Sequence, residues 1–302
     1  MQRGGLTPIL LAVAISSTLG CEEAAPPGDT AVPLVATSIF PVGDLARELV
    51  SDAARVRTIL PPGASPATFE VAPRQLQEFS GASVFFMIGG GLDEWVAQIP
   101  TVAEGDPLVI RLAEGIPLLA GDEHEHESGN PHIWLDPILV RDRLLPAMQS
   151  ALGEAFPELA ETVGERARHL SDSLTALDAE IREALAPLEH RSFVTTHPAW
   201  SYYALRYGLE EVGTIHAPPG EEPSSRELAH LLEAARDHEV RCLFVEPQVG
   251  EIAARAMAAE LSLPTSILDP LGGPEIEGRD SYLALLRFNT RQFVQGLQGN
   301  VR

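Results

Sequence analysis

The feature that most constrains the fold is an amphipathic stretch at residues 158–188, in the middle of the chain. Its apolar residues recur only at steps of three and four, which places them on one stripe of an α-helix. They are Leu159, Val163, Ala167, Leu170, Leu174, Leu177, Ile181, Leu185 and Leu188. About thirty helical residues extend roughly 45 Å, so we expect one stiff spine along two packed domains. The alternative is a coiled-coil partner helix, but the stripe is short.

Two segments with the same alternating pattern flank this stripe. In the first, apolar runs typical of strands lie at 33–40, 56–60, 83–89 and 107–112, with helical patterns at 42–52, 73–81 and 92–99. In the second, strands are predicted at 192–197, 210–215, 241–246 and 264–269, and helices at 198–207, 224–238, 250–262 and 280–297. Strands that alternate with helices indicate parallel sheets. The predicted fold is α/β, with two parallel-sheet lobes joined by one long rigid spine helix.

The beginning of the chain predicts export. Residues 1–20 have the pattern of a signal peptide, with Arg3 before an apolar stretch that is too short to span a membrane. Cys21 ends the run TLGC, which resembles a lipoprotein processing site, although Thr18 stands where an aliphatic residue is usual. An ordinary signal peptide therefore stays open. We expect a periplasmic or cell-surface protein that is lipid-anchored at Cys21.

The predicted domain boundaries follow from these patterns. After the signal peptide, residues 21–32 are expected to form a flexible, lipid-anchored tether rich in Ala, Pro and Gly. The N-terminal lobe is expected at 33–155, the linker helix at 156–189 and the C-terminal lobe at 190–302.

Composition narrows the possible partners. Every basic residue is Arg, and 21 of them stand against 43 acidic residues, a net charge of −22. Such a surface disfavours nucleic acid and anionic lipid and concentrates cations, although solubility alone would explain it equally well. Cys242 is the one cysteine after Cys21, so no disulfide is expected within the mature chain. We expect a monomer that contacts the membrane only through its anchor.

The segment NPHIWLDP, residues 130–137, predicts a metal-presenting turn. Pro131 and Pro137 restrict the backbone on both sides of His132. The preceding stretch, GDEHEHESG at 121–129, supplies His124 and His126 together with four carboxylates. These are nitrogen and oxygen donors suited to a divalent cation. A solvated acidic surface loop is the competing interpretation of this stretch.

Two further donors stand at the ends of predicted strands. His197 ends the strand SFVTTH, and Asp269 ends PTSILD before a turn. In open parallel sheets, ligands bind beyond the carboxyl ends of strands. Each residue alone has a structural interpretation, but His132, His197 and Asp269 together predict a metal site in the cleft between the lobes. The donor set suits Zn²⁺, and also Mn²⁺ or Fe²⁺.

The same motifs carry a family resemblance over essentially the whole mature chain. NPHIWLDP, TTHPAWSYYALRYGLE at 195–210, FVEPQ at 244–248, LDPLGG at 268–273 and PPGASPATFEVAPRQLQEF at 61–79 resemble the zinc/manganese substrate-binding proteins of bacterial ABC importers. The resemblance implies two α/β lobes with the metal between them. It also implies delivery of the ion to a membrane permease driven by a cytoplasmic ATPase. It carries His132, His197 and Asp269 over as ligands.

One position departs from the family pattern. Family members usually have a histidine after the proline of the first segment, where this chain has Ala67. Three explanations compete: His124 or His126 folds back to complete the ligand set, water fills the position, or the site is degenerate. Of these, we favour completion by the loop or by water.

These observations lead to one function and two rivals. The predicted function is extracytoplasmic capture of Zn²⁺, or secondly Mn²⁺, for an ABC importer permease, without catalysis. Since imidazole binds metal only when neutral, capture is expected to weaken below about pH 6.5. One rival is a metalloenzyme with an open two-His, one-Asp site, but the sequence has no HExxH motif. The other is a metal-free adhesin or interaction protein on the same scaffold.

Overall fold

A computed structural model describes residue 1 and residues 32–99, 107–121, 129–215, 224–248, 256, 258–260 and 262–299. From Val32 onward, these residues form one compact unit that holds two four-stranded sheets. The predicted signal peptide, nearly all of the tether and most of the predicted helix at 250–262 lie outside the described residues. Within the described ranges, no helix has the length and apolar character needed to cross a membrane.

The N-terminal lobe contains the first parallel sheet. Its strands are β1 (Leu34–Thr37), β2 (Arg55–Thr58), β3 (Val84–Met87) and β4 (Leu108–Arg111), in the order β2-β1-β3-β4, with helices α1 (Phe40–Val50) and α2 (Pro73–Phe79). The central strands β1 and β3 are buried along their whole length, whereas the edge strand β2 alternates between exposed and half-buried residues. Covered central strands are typical of parallel sheets with helices on both faces.

The predicted helix at 92–99 is instead a short 3₁₀ segment, Glu94–Gln98. Asp93, which precedes it, does not cap the segment. Its carboxylate accepts the backbone N–H groups of Ile88 and Gly89, both at 2.8 Å. Pro100 follows Ile99, and proline has no backbone N–H with which to continue a helix. The segment therefore stops after little more than one turn.

A helical connection leads from the N-terminal lobe to the spine. It consists of α3 (Pro137–Leu139), a π turn (Val140–Leu144) and α4 (Leu145–Ala155). Asp136 caps α3 by accepting the N–H groups of Ile138 and Leu139. The sequence pattern does not predict this connection because Pro146 interrupts it. In the structure Pro146 lies in the first turn of α4, where a missing N–H is tolerated.

The predicted spine is present as α5 (Ala160–Leu185), a helix of 26 residues. A 3₁₀ turn, Pro157–Leu159, precedes it, so the regular helix is slightly shorter than the predicted stretch. Seven stripe residues of α5 are buried, and Leu188 beyond its end is buried as well. Leu159 is partly buried against the same core. The prediction of one long amphipathic helix between two α/β lobes is confirmed.

The C-terminal lobe repeats the topology of the first. Its strands are β5 (Ser192–Thr195), β6 (Glu210–Thr214), β7 (Leu243–Val245) and β8 (Thr265–Ile267), all parallel in the order β6-β5-β7-β8. Its helices include α6 (Ser201–Tyr207), α7 (Ser225–Asp237) and α8 (Tyr282–Leu297). Ser224 and Glu227 form a capping box at the start of α7. The predicted parallel-sheet α/β class is confirmed for both lobes.

One hydrophobic cluster joins the two lobes through the spine. It extends from β1 and α1, through the buried face of α5, to Phe244 on β7 and Phe293 on α8. Buried hydrogen bonds connect the lobes as well. Trp134 donates from Nε1 to the Pro270 carbonyl at 2.8 Å, and the Tyr282 hydroxyl donates to the Trp134 carbonyl at 2.7 Å. The cleft between the lobes is therefore bounded by elements that share one core.

The role of the spine can be tested by a single truncation. Leu174 is 0% exposed on α5, whereas Leu205 on α6 is 70% exposed. We expect Leu174→Ala to lower the free energy of unfolding by about 2–5 kcal/mol, because it removes buried methyl groups and leaves a cavity. Leu205→Ala is the matched control and should change it by less than about 0.5 kcal/mol. Equal losses in chemical denaturation would contradict the shared core.

Candidate metal centre

The strand order of each sheet defines where a ligand is expected. In the C-terminal sheet, β5 connects to β6 on one side and β7 connects to β8 on the other, so the strand order reverses between β5 and β7. Ligands of doubly wound sheets bind at the carboxyl ends of the strands beside such a switch point. His197 follows β5 by two residues, and Glu246 follows β7 directly. Asp269 lies two residues beyond the neighbouring strand β8. Three polar side chains therefore stand at one edge of this sheet.

His132 comes from the opposite lobe and is held in a rigid turn. It precedes the 3₁₀ segment Ile133–Leu135, and its side chain is buried. The Asn130 carboxamide oxygen accepts the His132 backbone N–H at 3.0 Å and contacts ring Nδ1 at 2.8 Å. Since the amide oxygen is an acceptor, Nδ1 carries the proton, and the neutral ring has its lone pair on Nε2.

His197 is oriented in the same way by a carboxylate. Its Nδ1 lies 3.1 Å from Oε2 of Glu246, whose other oxygen accepts Trp200 Nε1–H at 2.9 Å. Glu246 and Trp200 are both buried. Such partners fix the tautomer and the ring plane of histidines that bind metal through Nε2. Glu246 therefore has the position of an orienting group behind His197.

The two imidazoles meet across the cleft. Their ring centroids are 4.7 Å apart, and the ring planes are inclined by 79°. The Asn130 amide nitrogen donates to the Pro198 carbonyl at 2.8 Å, next to His197 in the chain. One side chain thus holds His132 and contacts the segment that presents His197. The structure brings together two of the three predicted ligands, one from each lobe.

Asp269 is buried in the C-terminal lobe, and its carboxylate is engaged by other groups. Arg279 donates from Nη1 to Oδ2 at 2.8 Å. In the part of the chain that the structure describes, no three His, Cys, Asp or Glu side chains are grouped closely enough to hold an ion. The prediction that Asp269 is the third ligand stays a prediction.

Asp136, the acidic residue of NPHIWLDP, connects the lobes. Arg206 on α6 donates to both oxygens of Asp136, with Nη2 at 2.7 Å from Oδ2 and Nε at 2.9 Å from each oxygen. This contact is bidentate, the strong form of an arginine–carboxylate pair. Because Asp136 also caps α3, one carboxylate fixes the turn after His132 and the position of α6.

The ends of the acidic loop are fixed next to this site. The Asn130 N–H donates to the Leu119 carbonyl at 2.8 Å. The Tyr202 hydroxyl accepts the Leu119 N–H at 3.0 Å and donates to the Asn130 carbonyl at 2.8 Å. Gly129 has a φ of +106°, and a Cβ there would come within 2.7 Å of Leu118 Cβ, so only glycine fits. The described residues on both sides of the acidic stretch are therefore held together next to His132.

His124 and His126 lie outside the described residues. Ala67 is exposed in a 3₁₀ turn, Pro66–Thr68, whose Pro66 carbonyl accepts Trp95 Nε1–H at 3.1 Å. A methyl side chain offers no donor at this position.

A further carboxyl group of the C-terminal lobe lies beside the segment that presents His197. Glu211 on β6 accepts the hydroxyls of Thr195 at 2.7 Å and Ser201 at 3.0 Å. Burial raises the pKa of the Glu211 carboxyl to about 7, and the charge of Glu246 adds to this, although both hydroxyl contacts favour the ionised form. The Glu211 carboxyl group is therefore close to the midpoint of its titration at neutral pH.

Glu246 and Asn130 are the functional side chains that the sequence analysis did not assign. Glu246 ends a predicted strand, and this is the same signal that selected His197 and Asp269. Asn130 is part of NPHIWLDP, but no sequence pattern distinguishes an orienting amide from a turn residue.

The raised pKa of Glu211 predicts a pH dependence of stability. The folded state keeps a proton up to about pH 7 that the unfolded chain loses near 4.5, so stability falls as pH rises through this window. We expect Glu211→Gln to lack this fall between pH 5 and pH 7, as measured by urea unfolding. Exposed Glu210 has a pKa lowered first by the Ser192 hydroxyl, so Glu210→Gln should retain the fall. Parallel profiles for the parent and Glu211→Gln would contradict this assignment.

Comparison with known proteins shows the family to which this chain belongs. The family described as ZnuA, zinc-uptake complex component A, periplasmic, matches residues 35–296. The high-affinity zinc uptake system protein ZnuA of Bacillus subtilis is 25% identical over 264 residues, which cover 83% of this chain and 82% of the relative. A crystal structure of ZnuA is similar with a TM-score of 0.79 and 27% identity, over 88% of this chain and 99% of that one.

A third relative is considerably longer than this chain. The zinc-binding lipoprotein AdcA of Streptococcus pneumoniae (strain TIGR4) is 25% identical over 276 residues. The match covers 86% of this chain but 55% of AdcA, so the chain spans about half the length of that relative. The family resemblance carried by the motifs is confirmed. The chain belongs to the family described as ZnuA, zinc-uptake complex component A, periplasmic.

Proposed function

We propose that this protein captures a divalent transition metal outside the cytoplasm and delivers it to the permease of an ABC importer. The observation that carries the proposal is the pair of imidazoles from opposite lobes, with ring centroids 4.7 Å apart. Each ring has its Nδ1 on an oxygen acceptor, Asn130 for His132 and Glu246 for His197. Such tautomers offer Nε2 to metal.

Zn²⁺ is the first candidate cargo and Mn²⁺ the second. Two nitrogen donors and one carboxylate, from His132, His197 and Asp269, suit tetrahedral zinc when a fourth donor completes the shell. His124 or His126 of the acidic loop, or a water molecule, supplies that donor in place of the missing histidine at Ala67. The ends of the loop lie beside His132, which supports completion by the loop.

The shared core supports capture by a pair of histidines that is already in place before the ion arrives. The lobes are connected through the buried face of α5 and through the Arg206–Asp136 pair. Large hinge motion would have to break these contacts. Specificity for the permease then resides in the outer surfaces of the two lobes.

The remaining parts of the proposal concern attachment and chemistry. Cys21 carries the lipid anchor, residues 21–32 form the tether, and the protein acts as a monomer. It is a binding protein and not an enzyme. Glu246, the carboxylate that contacts His197, also accepts the Trp200 indole N–H and is buried, which disfavours a role as a general base for hydrolysis.

Calorimetric titration with Zn²⁺ and Mn²⁺ tests the proposal. We expect one ion per chain, and His132→Ala and His197→Ala should each weaken binding by at least about a hundredfold, because each removes a ligand. His169→Ala is the matched control, since this exposed histidine lies on α5 away from the cleft, and it should bind as the parent does.

A further variant separates the two ways of completing the site. Deletion of residues 122–127 should weaken binding if the loop supplies a ligand, and unchanged affinity would assign the position to water. Absence of binding by the parent protein would refute capture and favour the metal-free interaction protein. Metal-dependent ester or phosphate hydrolysis by the parent would favour the enzyme instead.

A further inference from the structure

The Asp269 carboxylate has four hydrogen-bond donors in the structure. Its Oδ1 accepts Gln248 Nε2 and the backbone N–H groups of Leu271 and Gly272, all at 3.0 Å. Its Oδ2 accepts Arg279 Nη1 at 2.8 Å. The side chain is 1% exposed. Because Oδ1 already has three donors, a cation that binds this carboxylate has to take Oδ2, the oxygen that Arg279 holds.

Arg279 is positioned by its own turn and by an aromatic ring. Its backbone carbonyl accepts the Gly273 N–H at 3.1 Å, which closes the turn after Asp269. Its guanidinium carbon lies 4.7 Å from the centroid of the Phe288 ring on α8, a cation–π distance. The side chain is 21% exposed, so the ion pair is largely removed from water. Asp269 is the acidic partner that this guanidinium contacts within the described residues.

Resting on the proposed function, we propose that Arg279 is an internal counter-ion that competes with the captured ion for Asp269. A guanidinium neutralises the buried carboxylate before the ion arrives and keeps it oriented. When a divalent cation approaches Oδ2, the two positive charges repel each other at short range in a medium of low polarity. The repulsion lowers affinity and speeds release, which a delivery protein needs. Arg279 is therefore a positioning residue that sets the affinity of the site through Asp269.

The competing explanation is that Arg279 only braces the turn from Asp269 to Arg279. The two explanations predict opposite changes when the charge is removed. If Arg279 competes with the ion, an uncharged side chain that keeps the turn should raise affinity. If Arg279 only braces the turn, the same change should leave affinity equal or lower it, because Asp269 would be less well oriented.

Titration of the whole chain with ZnSO₄ distinguishes them. We expect Arg279→Gln and Arg279→Met to bind Zn²⁺ at least about tenfold more tightly than the parent and to release it more slowly to a chelator. Arg279→Lys keeps the charge and should bind within about threefold of the parent. Arg287→Gln is the control for net charge, since Arg287 pairs with Glu180 of the spine on the surface. It should also bind as the parent does.

Each result of this experiment decides the question. Equal or weaker binding by both folded uncharged variants would overturn the counter-ion role and leave metal capture intact. Unfolding of both uncharged variants in thermal denaturation would identify Arg279 as a structural brace and overturn it as well. If the parent binds no Zn²⁺ but Arg279→Gln does, the counter-ion role holds and capture by the natural protein fails. If none of the proteins binds Zn²⁺, both proposals are refuted.

Discussion

The buried stripe of α5 is the contact on which the rest of this structure depends. One face of this helix packs against α1 and α4 on one side and α8 on the other, so both lobes share its apolar residues. A stiff helix with a common core leaves little freedom for the lobes to rotate against each other. This arrangement differs from binding proteins whose lobes are joined by flexible strands. The geometry of the cleft is therefore mainly a property of packing.

A fixed cleft allows a small number of hydrogen bonds to define the site. Asn130 holds the His132 ring and contacts the carbonyl of Pro198, which follows His197. Glu246 contacts Nδ1 of the His197 ring. Asn130 therefore connects both histidine segments. Because the two rings are already oriented, metal binding costs less side-chain conformational entropy.

Much of the fold could be predicted because its periodic signals are strong. The nine stripe positions from Leu159 to Leu188 and the apolar strands indicated two α/β lobes around one spine, and the structure has this architecture. The connection at 137–155 could not be predicted, because a π turn at Val140–Leu144 accommodates Pro146 and no sequence period reveals such a turn. The sequence predicts an α-helix at 92–99, where the structure has the 3₁₀ segment Glu94–Gln98, because the composition of so short a stretch suits either kind of helix.

The site was predictable only in part, for a different physical reason. His132 and His197 were found because they end strands or stand between prolines, which are local patterns. The orientation of His197 by Glu246 depends on a contact between residues 49 positions apart. Asn130 and Arg279 lie close in sequence to the residues they contact, but no sequence pattern marks them as partners. A single sequence does not encode such contacts as a spacing. The chemistry of a ligand set is thus easier to predict than the groups that tune it.

X-ray absorption at the zinc edge of the loaded protein tests the central claim most directly, because it reports the donor atoms around the ion. The account predicts two imidazole nitrogens at about 2.0–2.1 Å with oxygen in the remaining positions, or a third imidazole if the loop contributes. The signal should fall by one imidazole in His132→Ala and in His197→Ala. A shell without imidazole, or one unchanged by either substitution, would contradict a site built between the two lobes.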